Sequence, residues 1–540
     1  MVSNLFLFTV ATASAVSASA SFPNHTIRIK SGLVQGFSYF NSSTSEKLYN
    51  QSDAGVTAFL GIPYAADTSG QNRWRAPQER APWNNTFQAT TFGISCPSSE
   101  LSEYSEDCLS VNIWTPAKTS NESYPVFVWS YGSGMTSSDD LFDGGGLAHE
   151  RVVVVTYNHR DGVYGWLAHE DLLQESAHNS TGNYGTMDWF YLLQWVQDNI
   201  AAFGGDPSQV TIAGQSFGSA QVYHAINSPL VKGKFHRAIA ESGLRTPYDP
   251  FDIGLAESYV TMSHALEIGR NYTASHNVST IEQLRNLTTD QLLVGSEDRD
   301  YTISNLTALW TINPLVFKPA LDGYYIPSTY IDTLLNGPVN DVPIITGNTK
   351  DESGASTSEN ITAADYLKDE SAWYGNLSSR YFALYPGHNS TEASRSWNAA
   401  ARDTSLVSTW MYANDWIKNY ESPIYTYYWD HAPPGQTQGA FHMSEIPYVF
   451  NALYVGEYPY EADDWAIAAK MTAYWVNFIR TGNSNDGGAY KGQGELAQWT
   501  ENQDGVQSIM HLGDGWGEID LATPERVALI EEFLLRQTPF

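Results

Sequence analysis

Directly after the apolar run Val210-Thr211-Ile212-Ala213 the chain reads Gly214-Gln215-Ser216-Phe217-Gly218. A serine with a glycine two positions to either side, behind a short β-branched run, is the spelling of a sharp strand-to-helix turn. Side chains at the glycine positions would collide with the neighbouring strand and helix, and the serine hydroxyl is presented at the tip. Such a turn needs a buried strand that feeds straight into a helix, which commits this part of the chain to an α/β architecture. The chemistry expected of such a turn is acyl transfer through Ser216.

The flanking residues agree with that architecture. Tyr124-Pro125-Val126-Phe127-Val128-Trp129 and Val152-Val153-Val154-Val155 are short, apolar and without helical period, as buried strands are. Met187 to Ile200 has helical spacing of apolar residues and is stopped by Phe203-Gly204-Gly205-Asp206-Pro207. After Ser216 the alternation continues, with a helix over 221–226 and strands at 238–240 and 342–347. Alternating β and α elements imply a mostly parallel, doubly wound sheet flanked by helices, with catalytic loops at the carboxyl ends of its strands. The stretch from about 245 to 310 has no clear strand and contains four glycosylation sequons, so it is expected as a helical excursion on the surface around the pocket mouth.

With 540 residues, 42% apolar and 13% aromatic, the chain has ample material for a large core. No repeat, charge block or proline-rich linker divides it, so residues 21–540 are expected to form one catalytic domain. The start, Leu5-Phe6-Leu7-Phe8-Thr9-Val10, gives way to an Ala/Ser tract with Ala18-Ser19-Ala20 as cleavage site, which reads as a secretory signal over residues 1–20. Sequons at Asn24, Asn41, Asn50, Asn84, Asn121, Asn179, Asn271, Asn277, Asn286, Asn305, Asn360, Asn376 and Asn389 point independently to export and N-glycans. No later segment has the ~18 continuous apolar residues of a membrane span, and the carboxyl end carries no retention or lipidation signal. A secreted, extracellular glycoprotein without a membrane anchor is the expectation.

A formal charge of −31 and a pI near 4.6 argue against nucleic acid or anionic membrane as a partner, since both require basic patches. Cys96 and Cys108, twelve residues apart and the only cysteines, are most simply one short disulfide loop in an oxidising compartment. A zinc site is disfavoured, because two cysteines without a nearby His-x-His spacing do not supply its ligands.

An acyl-transfer serine needs a base within reach, an acid to orient the base and backbone donors for the oxyanion. In hydrolases of this topology the chain order is serine, acid, histidine. Asp351 and Glu352 both stand just past the strand at 342–347, and His442 follows in the loop Gly439-Ala440-Phe441-His442-Met443-Ser444-Glu445. On order alone other histidines compete.

Over most of its length the chain resembles the type-B carboxylesterases, α/β-hydrolases that include cholinesterases and several fungal lipases and esterases. Phe59-Leu60-Gly61-Ile62-Pro63-Tyr64-Ala65 with Arg73-Trp74 is similar to the family's opening motif, and Glu106-Asp107-Cys108-Leu109-Ser110-Val111-Asn112 to its cysteine signature. Gly182-Asn183-Tyr184-Gly185, Asp188, Phe203-Gly204-Gly205-Asp206-Pro207 and Val210-Thr211-Ile212-Ala213-Gly214 are similar to the family's approach to the nucleophile. The resemblance implies Ser216 as nucleophile, Glu352 rather than Asp351 as acid, His442 as base and Ser242 as support for the acid. Glu445 matches a further acidic position, where a structural ion pair is the plainer expectation. The oxyanion donors implied are the N–H groups of Ser133 and Gly134 in Trp129-Ser130-Tyr131-Gly132-Ser133-Gly134-Met135, with that of Phe217. Ser133 replaces the usual glycine and Phe217 the usual small residue, so Phe217 is expected to reshape the acyl side of the pocket.

Departures from the family bear on substrate. Gln215 is neutral where many relatives carry glutamate, and the segment between Cys96 and Cys108 is short and polar, with no tryptophan for a cation–π site and too little apolar surface for an interfacial lid. Acetylcholine hydrolysis and true lipase action are therefore demoted in favour of soluble, small-molecule carboxylic esters. The mechanism uses only side chains and backbone dipoles, so no metal or organic cofactor is implied. Two other readings stand beside it: transfer of the acyl group to an alcohol other than water, and a non-catalytic binding protein of the same fold.

Overall fold

The computed structural model describes residues 26–49, 54–253, 259–301, 314–337, 339–352 and 361–540. The secretory signal expected over residues 1–20 and the sequon residues Asn24, Asn50, Asn305 and Asn360 lie outside the described residues.

Strands β1 (Phe37–Ser38), β2 (Thr57–Pro63), β3 (Ser110–Thr115), β4 (Tyr124–Ser130), β5 (Val153–Tyr157), β6 (Gly205–Gln215), β7 (Arg237–Glu241), β8 (Ile344–Thr349), β9 (Ile424–Trp429), β10 (Ser508–Leu512) and β11 (Gly517–Asp520) make one sheet. Its 11 strands run in the order β11-β10-β9-β8-β7-β6-β4-β5-β3-β2-β1. From β5 to β10 every neighbouring pair is parallel. Antiparallel pairs flank this centre at both ends. This is the mostly parallel, helix-flanked sheet of an α/β-hydrolase.

Side-chain alternation along each strand divides the core in two. Val126, Val128, Ile212, Ala238 and Ile344 enter one buried cluster, whereas Phe127, Trp129, Ala213, Ile239 and Ile345 enter another. A strand apolar on both faces must be covered on both, which explains why these runs show no polar alternation in sequence. Helices α1 (Tyr184–Asn199) and α2 (Phe217–Asn227) cover the first face, with Trp189 and Val222 in its cluster. The carboxyl half of α4 (Ser390–Asn419) joins them through Tyr412 and Trp416. Helix α5 (Ala462–Thr481) covers the second face with Trp475 and Phe478.

Among the described residues between 245 and 301 the chain makes an excursion built mainly of helices: α3 (Met262–Ser275) and the short helices Ile281–Arg285 and Thr289–Leu293. It also holds a two-residue strand, Val260–Thr261, paired with Ala320–Leu321, which the sequence reading missed because so short a strand has no period. Tyr272, Leu284 and Leu292 pack with Trp166 and Phe217, seating the excursion beside the elbow.

One buried ion pair joins the excursion to the body. Arg73 donates from Nε to Glu106 Oε2 at 2.7 Å and from Nη2 to Oε1 at 2.6 Å, and from Nη1 to the carbonyls of Arg285 and Leu287. Glu106 also accepts from Thr289 Oγ1 at 2.6 Å. Both side chains are almost fully removed from water. Two positions after Glu106, Cys108 closes the disulfide with Cys96, their Cα atoms 5.0 Å apart. Removing one member of such a pair leaves an uncompensated buried charge. Glu106→Ala is therefore expected to destabilise the fold by about 3–5 kcal/mol, read as a lower midpoint in urea denaturation with the slope unchanged.

Candidate active site

The turn between β6 and α2 is tight enough to exclude side chains. A Cβ on Gly218 would overlap the carbonyl oxygen of Ser130, and one on Gly214 would lie 2.8 Å from that same oxygen. The glycines of the motif are thus required by backbone-to-backbone approach with β4, as the sequence reading expected. Ser216 takes φ 56° and ψ −120°, a conformation that costs a non-glycine residue roughly 1–3 kcal/mol. It is held there by its N–H, which donates to the Glu241 carbonyl at 3.0 Å. The turn after β4 lies alongside: a Cβ on Gly132 would sit 3.4 Å from Ser216 Cβ.

Glu352 and His442 meet from different loops. The Glu352 carboxylate contacts His442 Nδ1 through Oε2, while Oε1 accepts from Ser242 Oγ at 2.5 Å and from the Thr349 N–H at 2.8 Å. Ser242 itself sits at φ 52°, its N–H on the Gly347 carbonyl at 2.8 Å. Asp351, the other acidic candidate, has a different position. Its Oδ2 accepts from the Ala440 N–H at 2.9 Å, its own N–H donates to the Ala440 carbonyl at 3.0 Å, and its carboxylate pairs with Arg402. It ties down the loop that carries His442 and does not touch the ring.

Ser216 Oγ makes no hydrogen bond to His442. The Gln215 side chain stands there instead, with its Nε2 2.9 Å from His442 Nε2 and 3.3 Å from Nδ1. An amide N–H donating to Nε2 and a carboxylate receiving from Nδ1 both select the tautomer with the proton on Nδ1, which leaves Nε2 as a base. Burial disfavours the charged ring, but the Glu352 carboxylate, with Glu445 beyond it, outweighs burial and holds His442 above the ordinary imidazole value. Burial likewise opposes ionisation of Glu352, and His442, Ser242 and the Thr349 N–H together bring it below the usual carboxylate value.

Behind the histidine lies a group of carboxyls that sequence reading did not assemble. The ion pair expected for Glu445 is absent among the described residues. Glu445 is fully buried, neither carboxyl oxygen has a partner, and the charges that face it are Glu241, Glu352 and His442. Burial and the neighbouring Glu241 push it well above the carboxylate range. Glu241, equally buried, accepts from Trp475 Nε1 at 2.8 Å, and burial pushes it up to about 8. The register of β6 and β7 places Glu241 opposite Gln215, a pairing that no local motif announces.

Ser133 and Gly134 are exposed at the edge of the cleft. The N–H of Phe217 belongs to the first turn of α2, where backbone donors have no intrahelical partner. The Phe217 ring is 5% exposed, edge-on to Trp166 at 5.5 Å and 5.8 Å from His159. It is part of the wall between the elbow and the excursion. Among the described residues no cluster of three or more His, Cys, Asp or Glu side chains is placed to hold a metal ion, and no helix is long and apolar enough to cross a membrane.

Residues 23–522 match the model of the Carboxylesterase family. The chain belongs to that family. It is similar to fumonisin B1 esterase of Sphingopyxis macrogoltabida, 29% identical over 88% of this chain and 86% of the relative. It is also similar to acetylcholinesterase of Electrophorus electricus, 29% identical over 87% and 82% of the two chains. Carboxylesterase 5A of Homo sapiens is 31% identical over 80% and 78%. This carboxylesterase is a carboxylic ester hydrolase.

A carboxyl whose folded-state value lies above its unfolded one stabilises the fold fully below the unfolded value, and that contribution is lost as pH rises through the folded value. For Glu241 the window runs from 4.5 to about 8. Thermal melting from pH 4.5 to 8 should show a midpoint that falls with pH in the wild type and falls less in Glu241→Gln.

Proposed function

We propose that this carboxylesterase is an exported enzyme that cleaves soluble esters through an acyl-enzyme on Ser216, with His442 as base and Glu352 as acid. The observation that carries the reading is the chain of contacts from Ser242 through Glu352 to His442, set beside a strained serine at the elbow. For attack, the Gln215 amide gives up its place at Nε2 to the Ser216 hydroxyl. Nε2 takes the hydroxyl proton as Oγ bonds to the ester carbonyl carbon, and the carbonyl π electrons move onto oxygen. That oxyanion is received by the N–H groups of Ser133, Gly134 and Phe217. The imidazolium then protonates the leaving alcohol, and water repeats the sequence to release the acid. Glu352 stabilises the ring cation throughout.

Export is supported by the surface. Asn41, Asn84, Asn121, Asn179, Asn271, Asn277, Asn286, Asn376 and Asn389, the sequon residues among those described, are all exposed. Glycans at these positions meet no steric obstacle from a core. The disulfide loop between Cys96 and Cys108 adds to the same reading.

A series of 4-nitrophenyl esters from acetate to decanoate tests the assignment. Ser216→Ala should lose at least ~10³-fold in kcat, and product analysis with added alcohol distinguishes hydrolysis from acyl transfer. Turnover by Ser216→Ala at the wild-type rate overturns the reading. The base must be neutral to act, and His442 is held above 6.5, so kcat/KM should fall as pH drops through a midpoint above 6.5. A pH–rate profile from 5 to 9 reads this directly.

A further inference from the structure

A cleft of about 230 Å³ opens beside the oxyanion turn, between the disulfide loop, residues 159–162 and the excursion. Tyr131, Ser133 and Gly134 form one wall, and Glu100, Asp161, Glu297 and Arg299 bring three negative charges against one positive. The three carboxylates are not equivalent. Asp161 accepts from the Gly162 N–H and Trp166 Nε1, and Glu297 accepts from Ser98 Oγ and the Ser99 N–H. The Glu100 carboxylate is exposed and takes part in no hydrogen bond or ion pair among the described residues. One of its oxygens lies 3.3 Å from where a Cβ on Gly134 would stand, so it borders the place where the ester carbonyl is held.

A second, independent group faces the same need. His159 lines the cleft and is 1% exposed. Its Nδ1 lies 3.1 Å from the Arg160 carbonyl, to which it must donate, and its Nε2 has no partner. That nitrogen is therefore a buried acceptor without a donor, a costly arrangement unless something supplies an N–H or O–H. The ring is stacked on Tyr131 at 4.6 Å, which fixes its orientation. An anionic acceptor at the rim and a neutral acceptor at the wall, both beside the reaction centre, match a group with several N–H donors and a positive charge. A quaternary ammonium has the charge but no donor. A carboxylate has neither.

We infer that this cleft binds a primary ammonium on the substrate, with Glu100 as the residue that selects for it, so that the preferred esters are those of amine-bearing molecules. The inference rests on the esterase reading of Ser216 and names the substrate class for it. It also differs from the expectation drawn from Gln215: the negative charge missing next to the nucleophile is supplied from the disulfide loop, on the other side of the oxyanion turn.

The test compares kcat/KM for esters of equal length that end in a primary ammonium, a trimethylammonium, a methyl or a carboxylate, with the end group placed on the alcohol arm in one series and on the acyl arm in another. In one series the wild type should prefer the primary ammonium over methyl by about tenfold at low ionic strength, as a charge-assisted hydrogen bond of modest strength gives. The preference should shrink at 0.5 M salt, and in Glu100→Gln the ammonium-to-methyl ratio should fall to about 1. Glu103→Gln, which removes an exposed charge from the same loop outside the cleft, should keep the wild-type ratio. Equal ratios in wild type and Glu100→Gln, or a preference for trimethylammonium, methyl or carboxylate in both series, overturn the inference while leaving the esterase reading intact. Cleavage of none of the esters by a folded protein overturns the esterase reading as well.

Discussion

The backbone of α2 at Gly218 touches the carbonyl of Ser130, and the rest of the site takes its position from that contact. It fixes the distance between β6 and β4 at their carboxyl ends, from which the two loops of the candidate site leave. The loop after β6 holds Ser216, and the loop after β4 holds the turn of Ser133 and Gly134 proposed to receive the oxyanion. A side chain on either glycine of the elbow would separate the two. The approach is possible because both strands lie in the parallel centre of the sheet, where neighbours run in register and end together.

The polarity of the site follows from what is buried around the histidine. Three carboxyls surround it, yet only Glu352 is stabilised as an anion, by His442, Ser242 and the Thr349 N–H. Glu241 has only the Trp475 N–H and Glu445 has no hydrogen-bond partner, so burial pushes both upward. Of the three, Glu352 acts most strongly on the ring, through its charge and its direct contact, and it outweighs the burial that opposes a charged His442.

Elements whose signal is local were legible in the sequence. The elbow, the strands around 124–129 and 152–155, and the helix before β6 all stand within a few residues of where periodicity placed them. The choice between Asp351 and Glu352 was not legible from the residues themselves, since the two are adjacent and both acidic. Resemblance favoured Glu352, and the geometry puts Glu352 on the ring and Asp351 on the loop. Glu241 and Gln215 come together through strand register between segments 26 residues apart, and Glu445 joins them from the loop after His442. No window of sequence contains that cluster, so the ion pair expected for Glu445 had nothing to contradict it. Strand β9, Ile424 to Trp429, is rich in tyrosine and β-branched residues and could have been found by propensity alone.

The paired duties of Asp351 and Glu352 have a mechanical side. Asp351 is bonded to both backbone groups of Ala440, and Glu352 to the ring of His442 two residues on. Glu352 and His442 are therefore clasped twice, through the pair Asp351-Glu352 on one loop and the span Ala440-Phe441-His442 on the other. The clasp fixes the contact between Glu352 and His442 independently of Ser216, whose own position is set separately by the elbow.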